Sequence, residues 1–245
     1  SARTTSSAID RANQERLALT VLLATNSAVI DMSLNPDGDP QAVRAVLKNF
    51  LDSYPDLTGV FIMDAEGKSL VSTDPGMFRG KDYSFRPYWQ RAIKGAANIS
   101  QLSVSLDTKK AQIVYEAPVW QDGRVVSAVG VRSDASPVFA LVDADKESQG
   151  PGTRGLLVDE NGIRLYDSAD LAKQFTAIVR PAAAVEQTIL AGKQFGDKST
   201  LEATDAQDLA SGLEGASSSP FFTITEGGVA EYVAAAGLKS QTWTY

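Results

Sequence analysis

Residues 59–95 read GVFIMDAEGKSLVSTDPGMFRGKDYSFRPYWQRAIKG. The first part, Gly59–Thr73, has the pattern of a hairpin that turns at Asp64–Gly67. The last part, Asp82–Gly95, has the marks of a short helix. Pro87 suits the first helical position, where its missing N–H costs nothing. Arg86, directly before a proline, is driven out of the helical region into the cap position. Tyr88, Trp89, Ala92 and Ile93 follow at helical spacing, and Gly95 is a natural stop. A guanidinium is thereby set beside the N–H groups and positive dipole end of a helix, among aromatics, which is a place for an anion such as a carboxylate. An arginine paired with a neighbouring aspartate beside an aromatic core cluster would leave the same pattern.

Upstream, residues 1–7 are small and polar and are expected to fray or to derive from a tag. One long helical pattern then runs from Ala8 to about Leu34, with Leu19, Leu22, Leu23, Asn26, Val29, Ile30, Ser33 and Leu34 on one stripe. Such a helix would be roughly 40 Å long, more than one small domain needs. It suits a core helix with a solvated start, a spine joining two modules, or a dimer seam. Asn35–Asp39 is a turn, and its likeness to a calcium loop fails because the twelfth position is Val46 rather than Glu. Asp39-Pro40 opens a second helix with Val43, Val46, Leu47, Phe50 and Leu51 as its buried stripe.

Downstream come three strand patterns, Asn98–Leu106, Ala111–Trp120 and Arg124–Arg132. They are separated by turns at Asp107–Lys110 and Asp122-Gly123. With the hairpin they make five strands, expected as an antiparallel meander carrying helices. Beyond Gln149–Gly152 an internal repeat begins. Gly155-Leu-Leu-Val-Asp159-Glu-Asn-Gly162 echoes Gly59–Gly67, with Asp64 to Asp159 and Gly67 to Gly162 both 95 residues apart. A helix opening at Pro181 and strands at Phe221–Thr225, Val229–Leu238 and Gln241–Tyr245 would repeat the meander. The expected α+β organisation is therefore a helix over 1–38, a first module over 39–150 and a second over 151–245. The second has no Arg-Pro-Tyr-Trp equivalent, so a ligand site belongs to the first.

The composition narrows the chemistry. The 245 residues are 43% apolar and 22% charged, with net charge −7 and neither histidine nor cysteine. Ser-His-Asp catalysis, cysteine nucleophiles, disulfides and zinc sites built on His or Cys are excluded. Without a basic run, nucleic acid is not an expected partner. No run reaches the ~18–20 apolar residues that span a bilayer. The chain does not begin with Met and reads as an excised piece of a longer protein.

The order of elements resembles the double Cache (tandem PDC, PAS-like) sensor domains of bacterial chemoreceptors and sensor histidine kinases. Tyr83-Ser-Phe-Arg86-Pro-Tyr88-Trp89, Gly95 and residues 115–134, YEAPVWQDGRVVSAVGVRSD, carry the resemblance. It implies a periplasmic location between two transmembrane helices outside this piece. It also implies a membrane-distal module that binds a metabolite and a proximal one that relays the signal. The amino-acid sensors of this group carry a YxxRxWY-like pattern whose arginine holds the ligand carboxylate. Tyr83, Arg86, Tyr88 and Trp89 fit it with the last two aromatics exchanged. Those sensors hold the ligand ammonium with an aspartate near the end of the last strand, where Arg132 stands here. The C4-dicarboxylate sensor kinases instead carry an SFRPYF-type run and a lysine near that place. A second cation would suit a second carboxylate and repel an ammonium. A two-residue slip would put Asp134 in the pocket and reverse that inference.

The expected ligand is thus a small mono- or dicarboxylate, or an amino acid in the alternative. The candidate site is Arg86, Tyr83, Tyr88, Trp89, Tyr115, Arg132, Asp134 and Ser103, with Ser100 and Ser105 as weaker candidates. No metal and no cofactor is implied, and the N-terminal helix is the expected homodimer seam. Two other readings have their own marks. A hydrolase would need paired acids from Asp64, Asp74, Asp82, Asp107 and Asp134, all of which suit turns or boundaries. A module that only dimerises or binds a partner would have no ligand at all.

Overall fold

The computed structural model describes residues 1–245 except Pro75, Leu106, Asp107 and Gly227. The end of the expected 98–106 strand and the start of the expected Asp107–Lys110 turn therefore lie outside the described residues. The fold is α+β, and its contacts divide it into two units, Asn13–Ala135 and Ser1–Ala12 with Ser136–Tyr245.

The N-terminal helix α1 (Ala2–Ala24) starts earlier than expected and is not continuous with α2 (Ser27–Leu34). Their axes differ by 62°. Asn26 causes the break: its backbone is extended, at φ −69° and ψ 132°, and its side chain accepts the Ala28 N–H at 3.0 Å. A short polar side chain that caps a new helix competes with continuation of the old one. After the bend the expected stripe divides, Leu23 and Val29 being buried while Leu22 and Leu34 are exposed. Among the described residues no single helix is long and apolar enough to cross a membrane.

In the first unit, α3 (Gln41–Asp52) follows, its first N–H received by Asp39. Then come β1 (Leu57–Asp64), β2 (Ser69–Ser72), α4 (Pro87–Ala92), β3 (Asn98–Ile99), β4 (Ser103–Val104), β5 (Ala111–Gln121) and β6 (Arg124–Asp134). The antiparallel sheet has the order β2-β1-β6-β5-β3, with β4 also on β5. It is not the plain meander expected. The connection through α4 carries the chain to the far edge, and β6 returns to pair with β1 along Leu57–Asp64. The 98–106 strand is also divided. Ser100 accepts the Val114 N–H on its hydroxyl at 2.9 Å, replacing a ladder acceptor and ending β3.

The sheet is covered on both faces. Val60, Ile62, Ala117, Val119, Val129 and Val131 pack with Leu23, Val29, Met32, Val43 and Leu47 of the helices α1 to α3. Phe61, Met63, Val114 and Ala128 pack on the other face with Met77 and with Trp89 and Ala92 of α4. Gly67 turns β1 into β2 at φ +86°, and a Cβ there would meet Ser84 at 2.6–2.8 Å.

The second unit contains α5 (Ser136–Gln149), β7 (Leu156–Val158), β8 (Arg164–Asp167), α6 (Ala183–Ala191), α7 (Gln207–Glu214), β9 (Phe221–Glu226) and β10 (Val229–Ala234). The division falls at residue 135 rather than near 150 because α5 makes its contacts here. Phe139 stacks on Tyr166 at 4.4 Å, and the Tyr166 hydroxyl donates to Asp143 at 2.8 Å. The repeat is visible in atomic detail. Asp64 Oδ1 accepts the N–H groups of Glu66 and Lys68, and Asp159 Oδ1 accepts those of Asn161 and Ile163. Both hairpins also shift register at matching points, Ile62/Met63 and Leu157/Val158. The second unit nevertheless forms two separate ribbons, β7-β8 and β9-β10, and Gln241–Tyr245 forms no strand, Thr244 making isolated bridges to Val158 and Gly237.

Candidate functional site

Alternation along the two long strands assigns side chains to faces. Ser103, Gln112 and Asp134 pair across β4, β5 and β6 in one row. Val114, Arg132 and Gly59 form the next row, and Asn98, Glu116, Gly130 and Phe61 the row after it. Directly paired residues share a face, and Val114 and Phe61 place all three rows on the side that α4 covers. Tyr115 belongs to the opposite face, paired with Val131, and its buried hydroxyl donates to Asn13 of α1 at 2.9 Å. Burial raises the Tyr115 phenol well above its ordinary range. Tyr115 is therefore removed from the candidate set, since a strand residue one position from Val114 and Glu116 points away from the face they occupy.

Arg86 caps α4 in extended conformation, at φ −78° and ψ 125°, with Pro87 as the first helical residue. It is only 9% exposed, and its guanidinium carbon lies 5.0 Å from the centre of the Phe85 ring. With six residues, α4 has little macrodipole, so the guanidinium rather than the helix end supplies the positive charge here. The Arg86 N–H donates to the Tyr83 carbonyl at 2.9 Å, which folds Tyr83 back toward it. Tyr83 and Tyr88 are half-buried against the cluster of Phe61, Met77 and Trp89. The Trp89 indole donates to the Asp64 carbonyl at 3.2 Å and so ties α4 to the first hairpin.

The Tyr88 hydroxyl is the meeting point. Burial pushes its pKa far above the phenol range. The charge of Arg86 works against that shift, Glu116 adds to it, and Arg132 and Tyr83 act in the same field. Arg132, 8% exposed, donates through Nη1 to Asp74 Oδ2 at 2.6 Å and approaches Met77 Sδ at 3.7 Å. Its guanidinium is thus already engaged by an internal carboxylate. Asp134 lies half-buried on the same face and Ser103 is buried beside it in the Gln112 row.

Glu116 was not among the expected residues. It has no exposed surface, and among the described residues neither of its carboxyl oxygens has a hydrogen-bond partner. Burial holds its pKa well above the usual carboxylate range, against a smaller opposing pull from Arg91. Leaving such a group buried and unsatisfied costs about 1–3 kcal/mol. The signal was present in the sequence: a glutamate stands at the centre of AQIVYEAPVWQ, with apolar residues beside it on both faces.

The acids a hydrolase would need are dispersed. Asp64 and Asp82 receive backbone N–H groups of their own turns, and Asp74 is held by Arg132. Asp107 lies outside the described residues.

A two-unit α+β chain with one such site in its first unit has the double Cache (tandem PDC) fold, the fold of ligand-binding sensor domains. Among solved structures, the sensor domain of the Vibrio cholerae histidine kinase DctB superposes with a TM-score of 0.79 at 14% identity, over 99% of this chain and 91% of that one. The ligand-binding domain of the Pseudomonas fluorescens chemoreceptor CtaA, in complex with L-leucine, gives 0.64 at 19% identity, over 99% and 88%. That of the Pseudomonas aeruginosa amino-acid chemoreceptor PctC, in complex with GABA, gives 0.65 at 15%, over 99% and 93%. No protein-family model and no curated protein sequence matches the chain.

Proposed function

We propose that the chain is the extracytoplasmic sensor domain of a transmembrane receptor, of the chemoreceptor or histidine-kinase type, and binds a small organic carboxylate in its first unit. Arg86 clamps the carboxylate, Tyr83 and Tyr88 offer hydroxyls, and Trp89 walls the site. The observation that carries this reading is the buried Arg86 guanidinium at the start of α4, whose first turn carries Tyr88 and Trp89. Arg132, Asp134 and Ser103 border the same face and tune what the far end of the ligand must be. The domain acts by shifting a conformational population rather than by turnover, and it dimerises through its N-terminal helix. An amino acid is the alternative ligand, supported by the complexes of the CtaA domain with L-leucine and of the PctC domain with GABA. Calorimetry against organic acids and amino acids tests the reading. Wild type binds at least one carboxylate saturably, and a folded Arg86→Ala protein does not. Unchanged affinity in that variant removes Arg86 from the site.

A further inference from the structure

Among the described residues the buried Glu116 carboxyl has no hydrogen-bond partner on either oxygen, and it shares the α4-covered face with the groups assigned to the ligand. It stands opposite Gly130, whose missing side chain admits the Phe61 ring. The charged and titratable groups on this face come from several elements, with Arg91 the one whose charge acts on Glu116. Arg86, Tyr88 and Arg91 lie on or beside α4, Arg132 and Asp134 on β6, and Asp74, Lys81 and Tyr83 on the segment between β2 and α4. From β3 comes the neutral Asn98, and from β1 Phe61 and Met63. Arg91 is itself bonded to neutral oxygens, Asn98 Oδ1 at 3.2 Å and the Ile99 carbonyl at 3.5 Å. An arriving ammonium would therefore face guanidinium groups and would need Glu116 to ionise where water cannot reach it. A ligand oxygen needs neither.

We propose that Glu116 enters the complex as a neutral carboxyl group and donates its O–H to a second oxygen of the ligand held by Arg86. The site is thereby selective for hydroxy, keto or dicarboxylic acids over amino acids. This rests on the carboxylate-sensor reading and deepens it. No bond is made or broken; the proton stays on Glu116. Its consequence is linkage. Ligand raises the pKa of the carboxyl further, so affinity is full below the free-state pKa of Glu116 and falls about tenfold per pH unit above it.

Two measurements test this on the intact domain. Carbon-13 NMR of glutamate-labelled protein, with Glu116→Gln for assignment, follows the carboxyl without any ligand. It is expected to remain neutral after the other glutamates have ionised, and ionisation together with them overturns the proposal. Calorimetry with succinate, L-malate, pyruvate and L-alanine follows binding across the pH range in which that resonance titrates. Wild type is expected to bind an oxygen acid with the falling slope, and Glu116→Gln to bind it within about threefold at low pH without the slope. A flat profile, or one rising with pH with L-alanine preferred, overturns the Glu116 assignment and leaves the Arg86 reading standing. A neutral Glu116 in a domain that binds none of the probes removes both.

Discussion

Arg132 on β6 and Asp74, just beyond β2, meet across 58 residues of chain with a 2.6 Å hydrogen bond. Their side chains are 10% and 15% exposed. Burial works against the Asp74 carboxylate, yet the Arg132 hydrogen bond, the Gly76 N–H and the charges of Arg132 and Lys81 outweigh it and leave its pKa below the ordinary 3.8. The pair holds the segment leading to α4 against the sheet. Replacing Asp74 with Asn should cost about 2–3 kcal/mol at neutral pH, because a shielded guanidinium loses its charge partner. The contribution is present above the unfolded-state pKa and is lost as pH falls through the lowered folded one. The difference between wild type and Asp74→Asn in urea unfolding should therefore shrink below pH 4.

Tyr115→Phe is expected to leave ligand affinity unchanged and to destabilise the first unit by about 1–2 kcal/mol through loss of the buried bond to Asn13. A drop in affinity without loss of stability would return Tyr115 to the site. Calorimetry and denaturant unfolding on the same sample separate the two.

Gly130→Ala places a Cβ at 2.2–2.3 Å from Phe61 ring atoms in a closed layer. A cost of about 1–3 kcal/mol follows from overpacking. Phe61→Leu in the same chain should recover part of it, which a double-mutant cycle in urea measures.

Asp159, in the turn equivalent to that of Asp64, titrates at about 7 because burial outweighs its hydrogen bonds to Ile163 and Asn161. With the folded pKa raised, its contribution to stability is complete below the unfolded 3.8 and is lost as pH rises toward about 7. Asn keeps the acceptor for both N–H groups without the charge. Asp159→Asn should therefore match wild type near pH 4 and exceed it at pH 8 by on the order of 1–3 kcal/mol, read from urea midpoints.

The start of α4, the hairpin turns and the repeated turn were legible because they depend on neighbours within about four residues. Arg86 before Pro87 sets its own cap geometry, and Asp64 and Asp159 close the same turn with the same two hydrogen bonds. The break at Asn26 was readable in principle, a capping side chain inside an otherwise helical pattern. It was masked by apolar residues that keep the helical period on both sides.

The amino-acid order by itself thus determined the first hairpin, the start of α4, the repeated turn and the copy that carries the arginine. Packing assigned the faces: β6 beside β1, Tyr115 toward α1, Arg132 onto Asp74, and Glu116 into a buried layer without a hydrogen-bond partner among the described residues. The reason lies in range. Turn and cap chemistry is settled between residues a few positions apart, whereas the side of a twice-covered sheet that a strand residue occupies depends on helices as far as 102 residues away.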